Sequence, residues 1–419
     1  MISNELHRVV ITGMGTVTCA GNGFDKLWDA LMEGTCFIGP IERCDPEMVG
    51  VHVDAEIKDF DPVADGIMTK KEVRRSDKFV QFAIVAAEEA WNQAGFDMET
   101  EDATRFGVCI GSGIGGLQSI MDNHTKLLET GTAHKMNPML GIIMEPNMAA
   151  GQVAIRYGLK GQCMCTTSAC ASGAHAIGEG VHAIRHGYQD VMVVGGAEEV
   201  LNEMGLGAFA NLTALSKSED PLAASLPFDA RRNGFVLGEG AGMLVLESLE
   251  HAKARGAKIL GEIAGFGDTC DAYHVTAPDP DGDGPARAMK MALDEAGIDP
   301  SELDYLNAHG TGTQLNDAAE AKALHTVCGE HAKDVLVHSV KGNLGHSIAA
   351  CGAIEACVTA RVIMEQKVPG TCGYKEPDPE LDVWASEQPV TDHPVRYALS
   401  NNLGFGGHNT SLAFKAYEE

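Results

Sequence analysis

Positive charge is scarce in this chain: 31 Lys and Arg stand against 59 Asp and Glu, a formal net charge of −28 at pH 7. A surface that acidic repels phosphate backbones and anionic headgroups at long range, which sets nucleic acid and membrane surfaces aside as partners. Long apolar runs are also missing. No stretch approaches the roughly 18 residues that cross a bilayer, and MISNELHRVVITGMG enters a strand pattern without the core of an export leader. The expected location is cytoplasmic. Paired C-x2-C knuckles are absent as well: the 12 cysteines are spread singly, and Cys163, Cys165 and Cys170 stand at C-x-C-x4-C, unlike structural zinc sites. Without an export signal these cysteines do not read as a disulfide framework; most read as small buried apolar residues. No linker or low-complexity tract interrupts the chain.

What is present is enough for a large core. The 419 residues are 44% hydrophobic and 21% charged, a globular composition of two or three domain equivalents at about 150 residues each. Glycine is abundant, 49 residues, and much of it directly follows short β-branched runs. Residues 9–12, 106–110, 191–194, 243–246, 335–340 and 398–401 read as strands, several continuously apolar as in a parallel sheet covered on both faces. Residues 77–94 carry Phe79, Phe82, Ala83, Ala86 and Ala90 at helical spacing, with Gly95 as a stop. Alternating strands and helices give an α/β class. The charged stretch 249–258 is the best boundary, dividing the chain into a half over 1–255 and a half over 256–419.

Gly111-Ser-Gly113-Ile-Gly115-Gly116 fits G-x-G-x-x-G between a strand and a helical stretch. A dinucleotide site also needs an acid about 20 residues on, at the end of a second strand. The polar, helical residues that follow favour a tight turn lining some other pocket over a Rossmann-type oxidoreductase. Asp279-Pro-Asp281-Gly-Asp283-Gly284 opens like a calcium loop, but its twelfth position is Lys290, so an exposed turn ahead of a helix near Pro285 is expected. Cys170, in Thr167-Ser-Ala-Cys170-Ala-Ser-Gly173, precedes a helix marked by Ile177, Val181 and Ile184. A helix N-terminus lowers a thiol's pKa and offers N–H groups to an oxyanion. A nucleophile and a buried structural cysteine both fit that segment. His309, in Asn307-Ala-His309-Gly-Thr311-Gly-Thr313, and His346, in Lys341-Gly-Asn-Leu-Gly345-His346, stand in glycine-flanked loops at strand ends. Catalytic groups concentrate in such loops, although a single histidine is more often structural.

These motifs, with Val9-Val-Ile-Thr-Gly-Met-Gly15, Gly195-Gly-Ala-Glu198, Gly234-Phe-Val-Leu-Gly-Glu-Gly-Ala-Gly242 and Gly404-Phe405-Gly-Gly-His-Asn409, run collinearly almost end to end. The sequence resembles the elongating β-ketoacyl-[acyl carrier protein] synthases. The resemblance implies a thiolase-like fold, two related halves in a five-layer αβαβα core, and a homodimer. It implies that Cys170 accepts the acyl group, that His309 and His346 activate the malonyl thioester, and that Lys341 and Glu320 support them. The backbone N–H groups of Cys170 and Phe405 are the implied oxyanion hole, with Phe405 as a gate. Thr311 and Thr313 match hydroxyls that position pantetheine, and Ile114 and Phe209 match the acyl pocket.

The resemblance further implies a structural monovalent cation near Asn307, Glu355, Ser400 and Asn401. It implies no organic cofactor beyond phosphopantetheine on the acyl carrier protein. Lys70, Lys71, Arg74, Arg75 and Lys78, five cations within nine residues, match the position of a carrier-docking segment. Thiolases replace one histidine with cysteine, initiating synthases use Cys-His-Asn, and chain-length factors lack the cysteine, so the Cys-His-His set argues against a non-catalytic dimer partner. His408 stands where threonine is common, and Thr311-Gly-Thr313 is similar to polyketide ketosynthases. A ketosynthase of a polyketide or polyene pathway is therefore the alternative to fatty acyl elongation.

Overall fold

The apolar strands of this sequence need cover on both faces, and the computed structural model, which describes residues 6–418, shows what covers each. The first five residues, part of the segment read as lacking an export core, lie outside the described residues. The principal strands are β1 (Val9–Thr18), β2 (Phe106–Gly111), β3 (Cys163–Met164), β4 (Val191–Glu198), β5 (Gly240–Ser248), β6 (Gly261–Cys270), β7 (Tyr305–Asn307), β8 (Leu336–His338), β9 (Tyr397–Gly404) and β10 (His408–Lys415). The packed helices are α1 (Lys78–Ala94), α2 (Met148–Tyr157), α3 (Ser172–Arg185), α4 (Asp283–Ala296), α5 (Gln314–Cys328) and α6 (Cys351–Glu365).

The strand order is β8-β7-β9-β10-β6-β1-β5-β4-β2-β3. In each half the chain-order pattern is the same, third-second-fourth-fifth-first. In each half the first three strands of that path pair in parallel and the last two pairings are antiparallel. One of these six helices follows each of the first three strands of each half, so α1, α2, α3 correspond to α4, α5, α6. The halves join where Val10 and Ile11 pair with Glu262 and Gly261.

Strand alternation explains the layers. Val191, Val193, Met243 and Val245 face α1 and α2, burying Phe79, Phe82 and Val153. Met192, Val194, Leu244 and Leu246 face inward, onto Ile177, Val181, Ile354 and Val358 of α3 and α6. In the second half Leu306, Val337 and Leu399 face α4 and α5, on Met289, Leu293 and Leu324. Helices, sheet, helices, sheet and helices make the five layers of the thiolase-like fold, and the central strands β1, β2, β4 and β5 are buried along their whole length, as their apolar runs required.

The helix expected over 77–94 is α1. Asp77 stands at its N-cap, and Gly95 at φ 69° closes it by donating its N–H to Trp91 O at 3.1 Å. The strand expected over 335–340 is shorter, because Val340 already caps the helical turn Lys341–Leu344.

Candidate active site

Three strand-to-helix loops and one hairpin turn meet between the halves. Cys170 sits just ahead of α3, in a turn where Ala169 has φ 51°, a left-handed conformation that an L side chain rarely adopts. Ser172 holds the turn by accepting from Ser168 N (2.9 Å) and donating to Ala169 O (2.6 Å). The starts of α3 and α6 touch backbone to backbone. A Cβ on Gly173 would lie 2.6 Å from Ala349 O, and one on Gly352 would lie 3.0 Å from Ala174 N. Only glycine permits that approach, and it brings Cys170 against the segment carrying His346 and Cys351. Cys351 Sγ donates to Cys170 O at 3.5 Å.

The Cys170 sulfur and ring nitrogens of His309 and His346 lie within 4.8 Å of one another, all buried. The two imidazoles are edge to face, with centroids 5.2 Å apart at 84°, and Phe235 packs on His346 at 5.2 Å. Glu320 of α5 fixes the His309 loop by accepting from His309 N (2.8 Å) and Gly310 N (2.9 Å). Lys341 Nζ is ion-paired with Glu355 and lies 3.5 Å from His309 Nδ1. Asn402 Nδ2 donates to the other Glu355 oxygen at 2.6 Å.

Burial dominates the electrostatics. It holds His309 well below the usual histidine range, helped by the Lys341 charge and by His346, and it holds His346 there too, again helped by Lys341. Both rings are therefore neutral. Burial also opposes the Lys341 charge, but Cys351, the paired Glu355 and nearby Glu320 outweigh it and raise its pKa. Lys341 remains an ammonium, and as it can only donate, His309 Nδ1 accepts and the His309 proton sits on Nε2.

The low thiol pKa expected for Cys170 from its helix N-terminus is not found. Burial pushes the thiol up to about 12, against the Lys341 charge and the backbone N–H groups of Phe405 and Cys170 itself. The resting sulfur is a neutral thiol, and its proton has to leave during reaction.

A cavity of about 350 Å³ runs from Cys170, His309, His346 and Phe405 past Thr311 and Thr313 to the surface. The two threonine hydroxyls are 3.0 Å apart. Phe405 crowns the Gly404–Gly407 turn between β9 and β10 and stacks on Phe209 at 6.5 Å. Ile114 and Phe209 are not walls of this cavity; they pack with Cys170, Leu206, Phe235 and Ile348 in an apolar cluster beside it.

The residues expected near a monovalent cation divide. Asn307 and Ser400 are register partners on β7 and β9, and Asn307 Oδ1 and Ser400 Oγ are buried without a hydrogen-bond partner. Such orphaned oxygens fit a hard cation. Alternation along β9 sends Ser400 and Asn402 to one face and Asn401 to the other, where it donates to Glu320 at 3.4 Å. The Asn401 side chain thus leaves β9 on the face opposite Ser400, with its own Oδ1 also buried and without a partner, and the Glu355 carboxylate is engaged by Lys341 and Asn402.

The other motifs are taken up by contacts within the protein. The Gly111–Gly116 loop directs the N–H groups of Gly113 (2.7 Å) and Ile114 (3.4 Å) onto buried Glu198, leaving no phosphate cradle. Asp281 pairs with Lys322 at 2.6 Å ahead of α4. Among the described residues no metal-ligating group joins Cys163, Cys165 and Cys170. Lys70, Lys71, Arg74 and Arg75 are exposed around the short helix Lys70–Val73, whose start is fixed by a Thr69–Glu72 capping box, and none of the four is ion-paired among the described residues.

Sequence reasoning did not find Asn402, Cys351 or His175. His175 is hydrogen-bonded to Ser168 Oγ at 2.8 Å and to Asp268 Oδ1 at 3.0 Å. Its only sequence signal was its spacing of one helical turn and a half from Cys170.

Comparison with known proteins places the whole chain in one family. The family models described as "Beta-ketoacyl synthase, N-terminal domain" and "Beta-ketoacyl synthase, C-terminal domain" match residues 6–252 and 260–375. The chain is 44% identical over 419 residues, the full length of both chains, to "3-oxoacyl-[acyl-carrier-protein] synthase 2" of Synechocystis sp.. It is 45% identical over 415 residues, 99% of this chain and 100% of the other, to the protein of that name from Staphylococcus aureus. A solved ketosynthase of a type II polyketide system, in complex with its acyl-carrier protein, superposes with a TM-score of 0.91 at 32% identity, covering 99% of this chain and 100% of that one. Among the described residues no helix is long and apolar enough to cross a membrane.

Proposed function

Because the chain belongs to the beta-ketoacyl synthase family, we propose a role for each residue of the Cys170-His309-His346 cluster in the family's reaction. The enzyme is an acyltransferase that elongates an acyl chain by two carbons through decarboxylative condensation with malonyl-[acyl carrier protein]. The observation that carries the assignment is the convergence of one sulfur and two neutral imidazoles within 4.8 Å at the inner end of a cavity open to the surface.

An acyl thioester on the carrier's phosphopantetheine enters past Thr311 and Thr313. The Cys170 sulfur attacks its carbonyl carbon, and the backbone N–H groups of Cys170 and Phe405 hold the oxyanion. The pantetheine thiolate departs and takes up the proton that Cys170 loses. Malonyl thioester then occupies the same cavity. As its carboxylate leaves as CO2, charge develops on the thioester oxygen, where the Nε2–H of His309 and an N–H of His346 donate to it. Two neutral rings suit donation to an oxyanion, since neither must first be deprotonated by a base. The enolate carbon attacks the acyl carbonyl on Cys170, the carbon–sulfur bond breaks, and the released sulfur recovers a proton from solvent. One proton is consumed per cycle, matching the lost carboxylate.

Supporting roles follow the same geometry. Lys341 fixes the His309 tautomer, Glu320 fixes its loop, and Phe405 gates the acyl cluster containing Ile114 and Phe209. Asn307 and Ser400, with the Glu355 segment, would hold a monovalent cation that supplies fixed positive charge beside the His309 loop. Residues 1–255 and 256–419 are assigned as the two halves, on the support of their repeated strand order. A homodimer is assigned on the support of β3, a two-residue edge strand whose outer side has no strand partner among the described residues. The exposed cations Lys70, Lys71, Arg74 and Arg75 are assigned to carrier docking, because an acidic carrier needs a local positive patch on a chain of net charge −28. A cytoplasmic location accords with these partners.

Cys170→Ala tests the core of the reading. It should abolish elongation while CO2 release from malonyl carrier protein continues. Elongation that survives in Cys170→Ala would remove the covalent step.

A further inference from the structure

The two N–H groups assigned to the oxyanion hole come from different halves, Cys170 from the turn before α3 and Phe405 from the β9–β10 turn. Their spacing is useful only if something holds the turns in register. The two turns approach backbone to backbone: a Cβ on Gly404 would lie 2.7 Å from Ser168 O and 3.3 Å from Cys170 N. A hydrogen-bonded link runs beside it. Ser168 Oγ meets His175 Nδ1 at 2.8 Å, and His175 Nε2 meets Asp268 Oδ1 at 3.0 Å. Asp268 lies on β6 opposite Thr410 of β10, the strand that begins at the Phe405 turn. The His175 ring also stands edge-on to His408 at 6.3 Å, and His408 Nε2 would lie 3.1 Å from a Cβ on Gly406 in that turn.

The chemistry of the link is directional. A carboxylate only accepts, so His175 Nε2 donates to Asp268, while Nδ1 meets both the Ser168 hydroxyl at 2.8 Å and the Ala171 carbonyl oxygen at 3.2 Å and so ties the ring to the nucleophile turn. The hydroxyl so anchored belongs to the residue before Ala169, whose φ of 51° is held only while its surroundings over-determine it. Ser172 provides one restraint from within α3. His175 and Asp268 provide the one that reaches the other half.

We infer that His175, oriented by Asp268, is a positioning residue that aligns the nucleophile turn with the Phe405 turn for acyl transfer. The inference rests on the proposed role of Cys170 and adds to it the residues that place its N–H. It separates the two half-reactions: acyl transfer uses the Cys170 and Phe405 N–H groups, whereas malonyl decarboxylation uses the two histidines of the second half. Displacing a reacting group by about 1 Å costs on the order of 10²-fold in rate.

The test compares His175→Ala with wild type in two single-step assays on the full-length enzyme. One measures the rate of acyl-enzyme formation from acyl-carrier protein, by intact mass. The other measures CO2 release from malonyl-carrier protein with Cys170→Ala as the shared background. Acylation should fall about 10- to 100-fold, while CO2 release changes by less than about threefold and the thermal midpoint stays close to wild type. His175→Asn, which keeps an amide near the Nδ1 position, should recover much of the acylation rate. Ser168→Ala combined with His175→Ala should be no slower than His175→Ala alone, because both remove one link. Unchanged acylation in His175→Ala overturns the inference. So does an equal loss in both assays, which marks a residue that only supports the fold. Failure of the wild type to form an acyl-enzyme at Cys170 overturns the reading beneath it and, with it, this one.

Discussion

The two halves of the molecule place equivalent loops at equivalent strand ends but equip them differently. The loop after β2 is Gly-Ser-Gly-Ile-Gly-Gly, and its N–H groups close on Glu198. The loop after β7 is His-Gly-Thr-Gly-Thr, and its N–H groups close on Glu320. Both carboxyls are buried, and burial pushes each up to about 7 against the N–H donors. The scaffold is therefore shared: a buried acid pins a glycine-bearing loop at the seam. Only the second loop adds an imidazole and two hydroxyls. The loops before α3 and α6 differ in the same way, one offering a sulfur and the other His346 with Lys341 behind it. The two frames face each other, and on the proposed roles the chemistry divides between them, one half holding the electrophile and the other stabilising the carbanion equivalent.

That division can be broken at its most polar point. Lys341→Ala leaves Glu355 buried and unpaired, and should lower the unfolding free energy by about 3–5 kcal/mol, read by denaturant titration. Cys170→Ala leaves no buried charge and should cost far less. Next, His309→Ala or His346→Ala should slow CO2 release about 10²-fold, the scale of losing one oxyanion donor, and acyl-enzyme formation much less. Equal losses in both steps would show that the halves do not divide the work.

The first half's basic segment gives a smaller effect. Lys71→Glu with Arg74→Glu should raise KM for acyl-carrier protein about tenfold, since contact pairs survive at a Debye length of about 8 Å, while turnover of small pantetheine thioesters stays within about twofold. The smallest effects test Glu198 and Ile114. The native pKa of Glu198, about 7, lies above its value of roughly 4.3 in an unfolded chain. The native state thus holds the extra proton between these values, and stability falls as pH rises from about 4.5 to 7. Glu198→Gln should flatten that slope in unfolding titrations across the same window. Ile114→Phe should shorten the accepted acyl chain gradually, because each methylene is worth only about 1–3 kcal/mol; product masses report it.

Much of this arrangement was legible in the sequence because glycine marks where strands end and loops begin. Cys170, His309 and His346 all stand in such loops, and the family resemblance supplied their roles. The strands β6 and β10 were not legible. Gly261–Cys270 breaks its apolar run with Gly and Asp, and β10 opens on His408 and Asn409, so neither shows the continuous pattern that marked β4. Helix α5 was also hidden, because its buried residues include Asn316, Asp317 and Glu320, polar groups turned inward to bind the preceding loop. The neutral thiol of Cys170 was misjudged for a related reason: a helix start is local, but the burial that outweighs it comes from apolar residues distant in sequence, among them Leu206, Phe235 and Ile348. Residues that serve long-range hydrogen bonds carry no periodic signal. That is why the Ser168–His175–Asp268 link emerges only when both halves are folded together.

Ala169 gives the site a different kind of consequence. An alanine at φ 51° costs about 1–2 kcal/mol relative to an unstrained backbone, and glycine would adopt the same turn freely. Ala169→Gly should therefore leave thermal stability nearly unchanged, the relieved strain being offset by the greater freedom of the unfolded chain. What it would change is the breadth of conformations open to Cys170. The methyl group acts as a stiffener, so the turn's rigidity, rather than its average shape, is what the alanine contributes to turnover.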